Sequence, residues 1–139
     1  MARKYELVLT DTKLVCEKLL YRIRATRDFG RVKAGDLGGY VESERNLSHD
    51  GLCWVSGDAK VYGKAYVYGD AQVSGNAQVS GNAQVDGHAH VYDNAWVYDN
   101  AQVSGDAKVY GKAYVYGDAQ VSGNANVSDD TDVFEGTLA

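Results

Sequence analysis

The chain has 139 residues, 45% of them apolar and 24% charged, which is the composition of a globular domain and excludes a disordered chain. No apolar run is long enough to span a membrane, so no membrane partner is expected. Residues 1–53 carry ten basic and eight acidic side chains, a net charge of +2, whereas residues 54–139 carry four and eleven, a net charge of −7. Because non-specific nucleic-acid binding depends on neutralising phosphates, this acidic body argues against it, and no nucleic-acid partner is expected.

The first fifty residues do not repeat and are predicted to cap a longer regular segment. Residues 4–9 and 19–25 have the pattern of strands and are predicted to form a hairpin that turns around residues 10–12. The chain begins without a secretory signal, and its two cysteines, Cys16 and Cys53, lack a partner motif. These features favour a cytoplasmic location and exclude a disulfide framework or a zinc knuckle.

A basic cluster lies within this segment, with Arg22 and Arg24 on one face of the second predicted strand. Paired guanidinium groups suit phosphate oxygens, so these two residues are a candidate anion-binding site for a phosphate or a nucleotide. The alternative is that the cluster forms salt bridges with neighbouring carboxylates. The candidates for that role are Asp28, Asp36, Glu42 and Glu44.

From Val55 to Val133, valine recurs every six residues without a break. Four residues after each Val stands a small side chain, which is Ala as far as Ala125 and then Thr131 and Thr137. Gly usually follows two residues after the Val, with Asn, Asp, Lys or His in the next position. The repeating unit is therefore Ala-x-Val-x-Gly-Asn.

Each position of the unit has a physical reason. Ala and Val alternate with x, so both point to one face of a short strand and x points to the other. Gly followed by Asn or Asp suits a bend that needs a positive φ. Strands this short and regular are predicted to stack in parallel, and three units per turn close a triangular prism. Such an interior is filled by Val and Ala, so the sequence predicts no catalytic residue, no cofactor and no metal site there.

The Ala-x-Val-x-Gly-Asn array is similar to the hexapeptide repeats of left-handed parallel β-helices. Residues 33–40 (Lys-Ala-Gly-Asp-Leu-Gly-Gly-Tyr), 46–51 (Asn-Leu-Ser-His-Asp-Gly) and 53–55 (Cys-Trp-Val) resemble the YdcK-type β-solenoid family of bacterial and prophage-borne proteins. The left hand comes from this resemblance, since ordinary crossover chirality favours the right hand. We therefore expect an all-β protein, with an N-terminal β cap (1–50) and a left-handed triangular parallel β-solenoid (51–139).

Two further features of the repeats concern the surface of the solenoid: an internal copy of one segment, and a column of aromatic residues. Residues 55–77 are identical to residues 103–125, a shift of eight units, so a three-sided solenoid brings the two copies to different faces. The face of Val61 carries aromatic side chains on three successive coils. These candidate interface residues are Trp96, Tyr98, Tyr114, Tyr116 and Phe134. They predict either a patch for self-association or partner binding, or cross-strand pairs that only stabilise the sheet.

The sequence leaves three functions open. The first is a non-catalytic structural or protein-interaction solenoid, which self-associates as a homo-oligomer or binds a protein partner. The second is an acyl- or acetyltransferase-like enzyme, which the family resemblance implies, although His88 and His90 lie in no matching motif and no loop interrupts the repeats. The third is a phage-encoded protein that binds a host factor or a nucleotide through its cap. The first is the function we expect.

Overall fold

The computed structural model describes residues 3–128 and 131–138. Three longer strands come first: β1 (Tyr5–Val15), β2 (Lys18–Ala25) and β3 (Leu37–Val41). A 3-10 turn follows at Glu44–Asn46. Two-residue strands make up the rest: β4 (Trp54–Val55), β5 (Lys60–Val61), β6 (Tyr66–Val67), β7 (Gln72–Val73), β8 (Gln78–Val79), β9 (Gln84–Val85), β10 (His90–Val91), β11 (Trp96–Val97), β12 (Gln102–Val103), β13 (Lys108–Val109), β14 (Tyr114–Val115), β15 (Gln120–Val121), β16 (Asn126–Val127), β17 (Asp132–Val133) and β18 (Thr137–Leu138). In this described part, no helix has the length and apolar character needed to cross a membrane.

The short strands form three parallel sheets, each built from every third strand. The first face has the order β1-β2-β3-β5-β8-β11-β14-β17, the second face β4-β7-β10-β13-β16, and the third face β6-β9-β12-β15-β18. Partners in successive coils lie eighteen residues apart, as Val79 and Val97 do. The predicted all-β architecture of stacked parallel coils is confirmed, with about five turns. The left hand of the winding stays a prediction.

Valine and alanine fill the interior of the coils. The Val residues of the repeat from Val55 to Val121, and the Ala residues from Ala59 to Ala119, are at most 1% exposed. Removing a valine side chain from water contributes about 1.5–3 kcal/mol, so the column of valines is the main source of stability. The outward side chain between each Ala and Val can vary because it does not enter this core.

The corners between strands require a positive φ. Glycine meets this need at most corners, with Gly87 at +66° and Gly105 at +63°. Asp93 and Asp99 adopt the same conformation at +60° and +59°, and each carboxylate accepts a hydrogen bond of 3.2 Å from the corner N–H of the next coil. Asp tolerates this backbone region better than most residues because its short side chain can hydrogen-bond locally.

The cap is a β-hairpin, as predicted, but its turn is not where the sequence suggested. β1 and β2 pair antiparallel, and the turn is formed by Cys16 and Glu17, with φ values of +49° and +65°. The prediction of a turn at residues 10–12 is wrong, because an irregularity in pairing between Val8 and Thr12 lets the strand continue through these residues. The hairpin therefore reaches further than expected.

Side chains from the start of β1 fasten the cap to the first coil. The buried Tyr5 hydroxyl donates a hydrogen bond of 2.6 Å to the Leu47 carbonyl. The Lys4 ammonium is also buried and donates to the Cys53 carbonyl at 2.7 Å, and burial lowers the pKa of this lysine. Parallel stacking already begins at β3, which pairs with β5, upstream of residue 51. The division of the chain at residue 50 stays a prediction.

The last coil departs from the repeat by one residue. Thr137 pairs with Gln120 and Leu138 pairs with Val121, so the spacing is seventeen residues instead of eighteen. The prediction that Thr137 occupies the small inward position is therefore wrong, because the corner after Phe134 is one residue short. Leu138 is 39% exposed. Its exposure shows that the core is less well covered at this end.

A glycine-to-alanine pair tests the contact between corners. A Cβ on Gly87 would lie 2.8 Å from the Gly105 nitrogen, whereas a Cβ on Gly136, at φ +82°, would meet no atom within 4 Å. Both substitutions carry the cost of a left-handed residue, about 1–2 kcal/mol, but only Gly87→Ala forces two coils apart. We expect Gly87→Ala to lower the free energy of unfolding, measured in urea, more than Gly136→Ala. Equal losses would contradict close contact between the corners.

Candidate functional site

The structure brings the five predicted interface residues together on the first face. We call this cluster the aromatic ladder: Trp96, Tyr98, Tyr114, Tyr116 and Phe134. Its rings stack from coil to coil, with centroid distances of 5.8 Å for Trp96–Tyr114, 5.1 Å for Tyr98–Tyr116 and 5.9 Å for Tyr116–Phe134. Edge contacts of 6.4 Å and 6.5 Å join the two columns, so the five rings form one continuous surface.

The eighteen-residue coil explains why these rings meet. Trp96 and Tyr114 are register partners in β11 and β14. Adjacent strands lie about 4.8 Å apart, so identical positions in successive coils bring aromatic rings into stacking distance. Each stacked pair contributes about 0.5–1.5 kcal/mol beyond its buried area. A ring that changes its rotamer loses these contacts, so the stacking favours the observed conformation of the ladder.

Much of the aromatic ladder remains in contact with water, and its surroundings are acidic. Trp96 is 37% exposed, Tyr114 39% and Phe134 53%. Partial burial, the neighbouring tyrosines and the carboxylates of Asp99 and Asp132 together raise the pKa of Tyr98. The ladder is therefore an apolar surface with negative charges at its margin.

The upstream part of the same face is covered by the chain itself. Tyr40 and Tyr62 are at most 6% exposed and pack in one cluster with Leu20, while Val15 packs against its edge. The Tyr62 hydroxyl donates a hydrogen bond of 3.1 Å to the Gln78 side chain. The long hairpin thus covers the aromatic residues of the first coils and leaves those of the later coils exposed.

The candidate anion-binding residues are both paired with carboxylates. Arg22 donates from Nε to Asp11 at 2.8 Å and from its terminal nitrogens to the Gly38 carbonyl and the Tyr40 hydroxyl, each at 2.8 Å. Arg24 donates to Glu6 at 2.7 Å. An anion would have to displace these carboxylates, so the anion-binding site stays a prediction that the geometry does not favour.

The two histidines of the repeat line one shallow groove on the second face. His88 Nδ1 lies 3.6 Å from an Asp70 carboxylate oxygen, and His90 pairs in register with Lys108. Burial, with Lys108 and His88 nearby, lowers the pKa of His90. The groove has a volume of about 430 Å³ and an apolar wall of Phe29, Val32 and Leu52. Residues 3–128 and 131–138 contain no group of three His, Cys, Asp or Glu side chains that could hold a metal.

A third histidine, which the sequence did not single out, belongs to the cap. His49 stacks on Tyr5 at 4.2 Å, its Nδ1 accepts the Lys4 backbone N–H at 3.0 Å, and its Nε2 lies 2.8 Å from Glu44. The pKa of Glu44 is lowered because hydrogen bonds from His49 and Arg3 outweigh its partial burial. Both ring nitrogens are engaged, so His49 has a structural role. Two of its partners, Lys4 and Tyr5, come from a distant, non-repeating segment, so no sequence pattern indicated these contacts.

The internal copy is brought to another face, as predicted. Tyr66 and Tyr68 lie on the third face and, among residues 3–128 and 131–138, stack only on each other, at 4.7 Å, whereas their duplicates Tyr114 and Tyr116 belong to the aromatic ladder. Tyr66 is 37% exposed, close to the 39% of Tyr114. Tyr66 and Tyr114 therefore lie in identical local sequence, but in the described structure Tyr114 has aromatic neighbours on adjacent coils and Tyr66 does not.

The fold and its surface define a β-solenoid protein with an exposed aromatic face. A family model described as YdcK Beta solenoid repeat matches residues 71–87 and 89–105. Each match covers one strand of every face, β7–β9 and β10–β12, so one copy of the family repeat is one coil. These matches confirm the resemblance to the YdcK-type β-solenoid family. No curated protein matches the chain.

Two arginine variants test how these side chains are used. Arg22→Met removes the hydrogen bonds that Arg22 donates to Asp11 and to the Gly38 carbonyl, and the loss of hydrogen bonds from a charged group costs about 2 kcal/mol. Arg24 is 46% exposed in its pair with Glu6, and Arg24→Met should cost less than about 1 kcal/mol. Urea unfolding of both variants measures the difference. A loss from Arg24→Met as large as that from Arg22→Met would contradict the structural role of Arg22.

Proposed function

We propose that this protein is a non-catalytic structural solenoid that self-associates through the aromatic ladder. The observation that carries the proposal is the continuity of five contacting, partly exposed rings on one face. Exposed apolar patches of this kind mark interaction sites, and Trp and Tyr are enriched among the residues that dominate binding energy.

The stacking within the ladder supports a binding role. An interface that orders mobile side chains loses about 0.5–1.5 kcal/mol for each side chain immobilised. Trp96 and Tyr114 already stack on each other across neighbouring coils, so less side-chain freedom remains to be lost on binding. The side chains of the aromatic ladder therefore need little rearrangement to contact a partner.

The interior supports a structural role for the coils themselves. Val and Ala fill each coil, and the repeats from Ala59 to Val127 continue without an inserted loop. Function therefore depends on which side chains the coils present on their faces. The proposal includes a cytoplasmic location, for which the two free thiols, Cys16 and Cys53, are the support.

The duplicated tyrosines provide a matched test of the ladder. Tyr114→Glu introduces a carboxylate into the aromatic ladder, and Tyr66→Glu makes the same change in identical local sequence on the third face. We expect the wild-type chain and Tyr66→Glu to sediment as oligomers in analytical ultracentrifugation, and Tyr114→Glu to sediment at the 15.1 kDa of one chain.

Circular dichroism before each run establishes that both variants retain the β fold. The proposal is wrong if Tyr114→Glu associates as strongly as the wild-type chain. It is equally wrong if the wild-type chain stays at the mass of one chain over the whole concentration range.

A further inference from the structure

The β1–β2 hairpin exposes leucines that nothing in the described fold covers. Leu14 and Leu19 are cross-strand partners next to the turn, and they are 75% and 45% exposed. We call this pair the leucine tip. Lys13 and Lys18 stand beside it in sequence, one before each leucine. Both lysines point to the opposite face of the hairpin, where the Lys13 ammonium lies over Tyr40 and the Lys18 ammonium lies 3.8 Å from a Glu42 carboxylate oxygen. The leucine tip is thus an exposed apolar pair near the end of the hairpin.

Contacts within the molecule illustrate how this hairpin can cover aromatic residues. The Arg22 guanidinium lies 4.5 Å from the centre of the Tyr40 ring, and the Lys13 ammonium lies 5.1 Å from it. Leu20 packs with Tyr40 and Tyr62 in one buried cluster. One side of the hairpin therefore already binds aromatic rings of the first face with aliphatic and cationic side chains. Cations over aromatic rings are attracted by the negative ring face.

The parts of the chain that contain the two surfaces have opposite net charges. Residues 93–135, which contain the aromatic ladder, hold eight acidic and two basic side chains, a net charge of −6. Residues 1–37, which contain the hairpin, hold nine basic and five acidic side chains, a net charge of +4. Two ladders facing each other would bring like charges together, which disfavours a symmetric contact. A ladder facing a hairpin brings opposite charges together.

We propose, on the basis of the self-association proposed above, that the occupant of the aromatic ladder is the leucine tip of a second copy of this chain. Leu14 and Leu19 contact the exposed rings, and the net positive charge of the N-terminal segment lies opposite the acidic margin around Asp99 and Asp132. The contact joins two different surfaces, so each molecule has one free ladder and one free tip. Such contacts build rings or open chains instead of closed two-fold dimers.

A mixing experiment tests this arrangement. Leu14→Glu removes the apolar tip and sets a carboxylate against the acidic ladder, while Tyr114→Glu disrupts the ladder and leaves the tip intact. We expect each variant alone to associate about tenfold or more weakly than the wild-type chain. Mixed in equal amounts, they should form a complex of twice the 15.1 kDa of one chain, because one intact tip meets one intact ladder.

A control and a salt titration accompany the mixture. Leu37, 55% exposed on β3 and outside the leucine tip, provides the control variant Leu37→Glu, which should associate like the wild-type chain. Added sodium chloride should weaken wild-type association, because it screens attraction between opposite charges. A contact between two acidic ladders would instead strengthen with salt.

The outcomes separate this proposal from the one on which it rests. If Leu14→Glu alone associates like the wild-type chain while Tyr114→Glu does not, the ladder binds something other than the tip, so this inference is wrong and the proposed function stands. If both variants are monomeric and their mixture forms no complex, this inference is also wrong. If Tyr114→Glu alone associates like the wild-type chain, both proposals are wrong.

Discussion

The width of the coil interior is the constraint on which the rest of this structure depends. Three short strands enclose a space that Val and Ala fill, and the corner at Gly87 leaves so little room that a Cβ there would come within 2.8 Å of the next coil. Protein interiors are close-packed, so neither a larger side chain nor an extra residue fits without moving a neighbouring coil. The repeat tolerates variation only where side chains point outward.

Because the side chains inside the coils cannot vary, this protein is distinguished by the outward side chains on its three faces. A residue meets its counterpart eighteen positions away, and the identical tyrosines Tyr66 and Tyr114 acquire different neighbours because their separation is not a whole number of coils. The cap then divides the first face into a covered part and an exposed part. Tyr62 lies beneath the hairpin, whereas Trp96, two coils further along, is half-exposed.

The sequence predicted the structure of the repeat better than that of the cap. The six-residue period is local, so counting residues was enough to find the buried positions, the three faces and the aromatic ladder. The cap has no period. Its turn at Cys16 and Glu17 depends on an irregularity in strand pairing, and the roles of Lys4 and His49 depend on partners more than forty residues away or in another segment. Such long-range contacts between single side chains leave no pattern in one sequence.

Two deletions test the constraint most directly. Removing residues 71–88 takes out one whole coil and keeps every later residue on its face, whereas removing residues 89–91 takes out three residues and turns outward side chains into the core. We expect the eighteen-residue deletion to retain the β circular dichroism spectrum and cooperative urea unfolding, and the three-residue deletion to lose both. A three-residue deletion that unfolds cooperatively at a higher urea concentration than the eighteen-residue deletion would contradict this account.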